Sequence, residues 1–209
     1  MAVVRYFVSQ QQGNDSNTGL SEAQAWATLT KAAQTVQTPA VGDCHEVVFG
    51  PGTYREKLTL SYAGRSATEN IRFIPDPNCL YLTNDKPGRC RITGCDSNEI
   101  ASSGNVVNWN SKNYVTFGCD EAEFWADGVK GTAMYATNGG LGRNCVRVNA
   151  QGGNAGFYYC TATNCTAQGG YYGFNYCTAT NCTAQGGNYG FNYCTATNCT
   201  AQGGYYGFN

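Results

Sequence analysis

Residues 159–175 read YCTATNCTAQGGYYGFN, and this seventeen-residue unit recurs at 176–192 and 193–209 with one variable position, filled by Tyr171, Asn188 and Tyr205. A period this short is too small for a helical-pair repeat and suits one coil of a β-solenoid. Inside the unit, Cys160-Thr161-Ala162-Thr163 alternates, which turns Cys and Ala inward and both threonines outward. Asn164 breaks the alternation, and asparagine tolerates the left-handed backbone of a sharp corner; Gln168-Gly169-Gly170 supplies a second corner. Parallel coils stack about 4.8 Å apart, so each residue lies over its counterpart in the next coil. The unit therefore predicts ladders of Asn164, Asn181 and Asn198, of Cys160, Cys177 and Cys194, of Cys165, Cys182 and Cys199, and of Phe174, Phe191 and Phe208. A weaker copy precedes it: Asn144-Cys145 and then AQGGNAGFY (150–158) repeat the same landmarks with two extra residues between them.

Working outward, the chain divides into an N-terminal cap and first coils (1–60), less regular coils and loops (61–143) and the regular repeats (144–209). Tyr6-Phe7-Val8 reads as a strand, GNDSNTG (13–19) as a turn-rich loop, and 25–36 as a capping helix. That helix has Ala25, Trp26, Leu29, Ala32, Ala33 and Val36 on one face. Val47-Val48-Phe49, the turn Gly50-Pro51-Gly52 and Tyr54 to Leu60 then read as strand, turn and strand. Ile71-Arg72-Phe73-Ile74 and Tyr114-Val115-Thr116-Phe117 mark further strands.

The run YFVSQQQGNDSNTG, then AWATLTKAAQTV, VGD and VVFGPGTYREKLTL resembles the opening of right-handed parallel β-helix proteins of the DUF1565 and pectate-lyase-like type. The resemblance covers about the first sixty residues. It implies an all-β, right-handed parallel β-helix with a short N-terminal capping helix. Lyases of that superfamily use carboxylates that hold calcium and a Lys or Arg that takes a proton from the sugar; no motif here carries those residues over one by one. The group also contains surface proteins, and a fold does not fix a function.

Charge narrows the possibilities. Thirteen basic and fourteen acidic residues, with no basic run, leave no footprint for nucleic acid or a polybasic membrane patch. No stretch approaches the length of a membrane span, and MAVVRYFVSQ lacks the features of a signal peptide, which leaves a removed signal or another export route. The low charged fraction of 13% and the abundance of Gly, Asn, Thr and Tyr point to an extracellular or cell-surface protein.

From Val148 to Asn209 there is no Asp, Glu, Lys, Arg or His, so the regular coils supply neither acid–base catalysis nor carboxylate-bound calcium. Asp120, Glu121, Glu123, Asp127 and Lys130 share one segment that could form a small acidic site or a solvated loop. The lone His45 reads as a surface or strand-edge residue. The twelve cysteines are open to three readings: buried thiols, inter-coil or cross-column disulfides, and a metal site.

Two repeated surfaces remain. Thr161 and Thr163, with Thr178, Thr180, Thr195 and Thr197, form a Thr-x-Thr grid similar to the ice-binding face of β-solenoid antifreeze proteins, or an ordinary solvated β face. Tyr171, Tyr172, Tyr189, Tyr205 and Tyr206 follow the Gly-Gly corner, where rings stack on sugars, on a neighbouring molecule or on each other. Asn164-Cys165-Thr166 matches the glycosylation pattern but is discounted, because the same asparagine is wanted for the corner and an asparagine ladder is expected to be mostly buried; Asn14-Asp15-Ser16 is the more accessible match. The leading expectation is an extracellular structural or adhesive module, part of a longer repeat protein, that binds carbohydrate or self-associates through its solenoid end, without a cofactor. The alternatives are a polysaccharide lyase or hydrolase with its site in 60–145, the only case that calls for calcium, and an ice-binding solenoid.

Overall fold

The computed structural model describes residues 2–185, 187–202 and 204–209. The strands of each coil fall into three parallel sheets, and each strand pairs with its equivalents in the coils above and below. The first sheet contains Ala2–Val8, Asp43–Phe49, Ile71–Pro75, Val115–Gly118, Arg143–Val146, Thr161–Thr163, Thr178–Thr180 and Thr195–Thr197. The second runs from Gly52–Arg55 through Cys90–Thr93, Phe124–Val129, Val148–Gly152, Thr166–Gly169 and Thr183–Gln185 to Thr200–Gln202. The third runs from Leu58–Thr59 through Val107–Asn108, Thr132–Tyr135, Ala155–Tyr158, Tyr172–Asn175 and Tyr189–Asn192 to Tyr206–Phe208. This is a parallel β-helix.

The register follows the seventeen-residue period: Thr161 faces Thr178 and Thr195, Ala167 faces Ala184 and Ala201, and Phe174 faces Phe191 and Phe208. Asn164, Asn181 and Asn198 turn the first sheet into the second in the left-handed region, at φ 54°, 52° and 52°. Each holds its corner by donating its N–H to the next coil where one follows, as Asn164 does to the Thr180 carbonyl at 3.0 Å. A third corner turns the third sheet back into the first, at a position with neither Asn nor Gly. It is made by Tyr159, Tyr176 and Tyr193 at φ 53°, 53° and 50°. A left-handed L-residue costs about 1–2 kcal/mol, and inter-coil stacking of these rings at 4.9 and 5.0 Å helps to offset it.

The core is a file of apolar side chains along the axis. Phe73 stacks on Phe117 at 4.4 Å, and Phe157, Phe174, Phe191 and Phe208 continue as near-parallel pairs at 4.7–4.9 Å. Cys160, Cys165, Cys177 and Cys182 are buried beside this file as free thiols. Their sulfurs donate to corner carbonyls, as Cys182 Sγ does to Thr180 O at 3.2 Å. Burial pushes the Cys145, Cys165 and Cys177 thiols well above their ordinary range, which keeps them protonated.

At the N-terminal end the helix is shorter than expected, Leu29–Thr35 rather than 25–36. The cause lies in the GNDSNTG loop. Asp15 accepts the N–H groups of Ala27 and Thr28 and the Thr28 hydroxyl, so this stretch is held extended up to the N-cap. Thr28 then caps Lys31 N, and Glu56 accepts from Leu29 and Thr30 at the positive end of the helix. Trp26 is buried all the same: it bridges to Val8, and its indole donates to Asn17 O at 2.8 Å. Gly19 lies under the indole, where a Cβ would meet Trp26 Cε2 at 2.5 Å, at a φ of 75°.

Three further expectations need correction. Asn144-Cys145 faces Thr161-Ala162, not the corner, so the preceding coil has no extra residues; its corner is Arg147, opposite Asn164 and at φ 51°. The buried asparagine ladder is not Asn164, Asn181 and Asn198, which are exposed. It is Asn175 and Asn192, extended by the exposed Asn209, in which each amide donates to the one below at 2.8 Å. His45 is no edge residue: it lies inside the first sheet between Val4 and Ile71, is 8% exposed, and approaches Gln37 O through Nδ1 at 2.9 Å.

Candidate functional site

The outer face of the second sheet is built by alternation. Buried Ile92, Ala126, Ala150, Ala167 and Ala184 point inward, which leaves two outward columns. One column runs Arg91, Trp125, Asn149, Thr166, Thr183 and Thr200, and the other continues through Gln151, Gln168 and Gln185 to Gln202. The loop after Cys90–Thr93 carries Cys95, Glu99 and Ala101 to the side of this face. Between loop and sheet lies a groove of about 690 Å³, lined by Arg91, Glu99, Asp127, Gln151, Gln168 and Gln185 over a floor of Gly152, Gly153, Gly169 and Gly170. The floor has to be glycine: a Cβ on Gly170 would meet the Gly153 carbonyl at 2.2 Å, and one on Gly153 the Lys130 carbonyl at 2.6 Å.

Arg91 organises the charged end. Its Nε lies 2.9 Å from Asp127 Oδ2 and its Nη2 2.8 Å from Glu99 Oε2. Arg55 Nη2 reaches the other Glu99 oxygen at 2.6 Å. The hydrogen bonds donated by Arg91 and Arg55 hold the Glu99 carboxyl at about 2, and those that Arg91 donates to Asp127 and Glu99 raise its own pKa further. The cluster thus pairs two guanidinium groups with two carboxyl groups. Beyond them the groove is amide-lined, with Gln168 Nε2 donating to Gln185 Oε1 at 3.0 Å. An adjoining shallow recess contains Trp125, Asn149 and Thr166, and Arg89 stacks on the Trp125 ring at 4.2 Å.

The acidic segment singled out from the sequence does not converge. Four residues along an extended strand separate two side chains by about 13 Å, so Asp127 reaches the groove while Glu123 meets Arg147 and Asn149 instead. Glu121 lines a different recess, with Arg5, Glu46 and Arg72. Asp120 and Lys130 are exposed. Among the described residues no group of three or more His, Cys, Asp or Glu side chains is placed to hold a metal ion. Sequence reasoning missed Arg91, Glu99 and the glutamine column. The glutamine column was legible in the repeat, since Gln168, Gln185 and Gln202 are seventeen apart, but the loop that closes the groove was not.

The threonine grid exists in the expected register, with Thr161, Thr178 and Thr195 exposed, but it spans three coils and gives way to Asn144 and Val146. Tyr172, Tyr189 and Tyr206 stack at 5.4 and 5.1 Å, with Tyr171 packed edge-on against Tyr172 and Tyr205 exposed. The second tyrosine stripe, Tyr159, Tyr176 and Tyr193, lies at the opposite corner of the third sheet.

No family model and no curated protein sequence matches the chain. Among solved structures, the crystal structure of pectate lyase Pel9A is similar at a TM-score of 0.59 and 16% identity, over 96% of this chain and 62% of that one. A GH136 lacto-N-biosidase from Eubacterium ramulus is similar at a TM-score of 0.46 and 17% identity, over 90% of this chain and 36% of its own. At such identity the first likeness shows the fold. Among the described residues no helix is long and apolar enough to cross a membrane.

Proposed function

We propose that this is an extracellular carbohydrate-binding β-helix with a structural or adhesive role, which holds a glycan chain in the groove on its second sheet. The observation that carries this reading is the groove itself: a long, open channel with a glycine floor, amide side chains one coil apart and an ion-paired end. Such a channel admits an extended polymer and offers donors and acceptors to hydroxyl groups along it. The uncharged repeats lengthen the scaffold without adding reactive groups, which suits adhesion. The fold shared with pectate lyase Pel9A agrees with a glycan ligand.

A lyase or hydrolase in residues 60–145 is the weaker reading, because Asp127 and Glu99 direct their oxygens to arginines rather than to a free site. An ice-binding role has only the three-coil threonine grid to support it. Binding to a glycan array by the purified chain is the expected result, without release of ultraviolet-absorbing unsaturated products from polygalacturonate in the presence of calcium. A protein that binds no glycan on the array, or one that does release such products, overturns the proposal.

A further inference from the structure

We infer that the ligand of this groove is a neutral glycan, and that acidic polysaccharides are excluded from it; the inference rests on the groove being a glycan site. Recognition of a uronate or sulfate needs a cation whose donors are free, and arginine provides it best through a bidentate fork. Neither groove arginine has that fork free. Arg91 engages Asp127 through Nε and Glu99 through Nη2. Arg55 engages Glu99 through Nη2, and the carbonyl of Asp96 through Nη1. The charged residues that line the groove are Arg91, Glu99 and Asp127, and with Arg55 behind Glu99 they sum to zero. An incoming carboxylate would have to displace an existing one or remain beside two of them.

The other lining groups point the same way. Gln151, Gln168 and Gln185 carry both a donor and an acceptor, the pair that matches a sugar hydroxyl, which also gives and accepts. The Gln168–Gln185 bond uses one donor and one acceptor, so the outer carbonyl of Gln168 and the outer amide hydrogens of Gln185 stay available to a ligand. The amides recur at the coil spacing of about 4.8 Å, which suits a polymer that runs across the coils rather than a single sugar. A neutral ligand also agrees with the binding role proposed above, since β-elimination needs the acidic C5–H that a uronate carboxylate provides.

The test is affinity electrophoresis in gels that contain one polymer each: xyloglucan, galactomannan and a soluble β-glucan on the neutral side, polygalacturonate, alginate and chondroitin sulfate on the acidic side. Retardation by at least one neutral polymer and by none of the acidic ones is expected. Removing the amides in Q168A/Q185A should weaken the neutral interaction about tenfold, as two lost hydrogen bonds would. The double variant E99Q/D127N leaves Arg91 and Arg55 unneutralised, and it should gain retardation by polygalacturonate. Retardation of wild type by any of the acidic polymers overturns the inference while leaving the groove a glycan site. Binding to no polymer overturns the underlying proposal instead. The wild-type comparison decides the matter even where a variant fails to fold.

Discussion

Asparagine and tyrosine occupy equivalent left-handed corners in this chain for different reasons. Asn164 and its copies are exposed at φ near 53° and are chosen for backbone tolerance; Tyr176 and its neighbours accept the same conformation because their rings stack along the axis. The exposure of Asn164, Asn181 and Asn198 removes the burial argument against Asn164-Cys165-Thr166 as a glycosylation pattern, while the corner still requires that asparagine. His45 is the residue with the clearest dependence on pH. Burial lowers its pKa, so the fold holds a neutral imidazole whose Nδ1–H donates to Gln37 O. The unfolded chain binds a proton with a pKa near 6.5, and below that value it holds more protons than the folded state. The His45 contribution is thus constant above that pH and turns destabilising as pH falls through it. His45→Gln should shrink the drop in urea midpoint between about pH 8 and about pH 5.5. Equal drops in variant and wild type would show that the imidazole is not the group responsible.

Among the elements, the buried amide ladder carries a specific energetic demand. Asn192 donates to Asn175 Oδ1 and accepts from Asn209 Nδ2, and it is only 5% exposed. Asn192→Leu keeps the volume but leaves the buried Asn175 carbonyl without a partner. That should cost about 1–3 kcal/mol, read as a lower urea midpoint at unchanged slope. A midpoint equal to that of wild type would mean that the ladder is replaceable by apolar packing. The capping helix shows the converse, an element set by polar groups around it. Its apolar face was plain from Ala25 to Val36, but its start was not, because Asp15 and Glu56 meet it from positions twelve or more residues away.

Taken as a whole, the molecule is close to one-dimensional, with each coil in contact mainly with its two neighbours. Deleting residues 176–192 joins Asn175 to Tyr193, the same Asn-Tyr junction that Asn192 makes with Tyr193. The shortened chain should fold cooperatively and retain glycan binding at Arg91 and Gln151, with a urea m-value reduced roughly in proportion to the residues removed. Loss of the fold on this deletion would mean that the coils are not interchangeable units.

The repeat determined the period, the alternation, the left-handed asparagines and the stacking of Thr, Cys and Phe, because these depend on sequence spacing in a parallel register. That spacing could not tell which of two asparagine columns is buried, since Asn164 and Asn175 both recur every seventeen residues. Nor could it show the tyrosine corner. The site was less legible still: the acidic segment from Asp120 to Lys130 drew attention, yet strand geometry disperses it and leaves only Asp127 in the groove. Arg91 and Glu99 lie eight residues apart in one coil, but Asp127 joins them from the coil after and Arg55 from the coil before. Local spacing thus settled the coil, whereas the groove was settled by contacts between residues far apart in sequence, whose proximity only the stacking of coils creates.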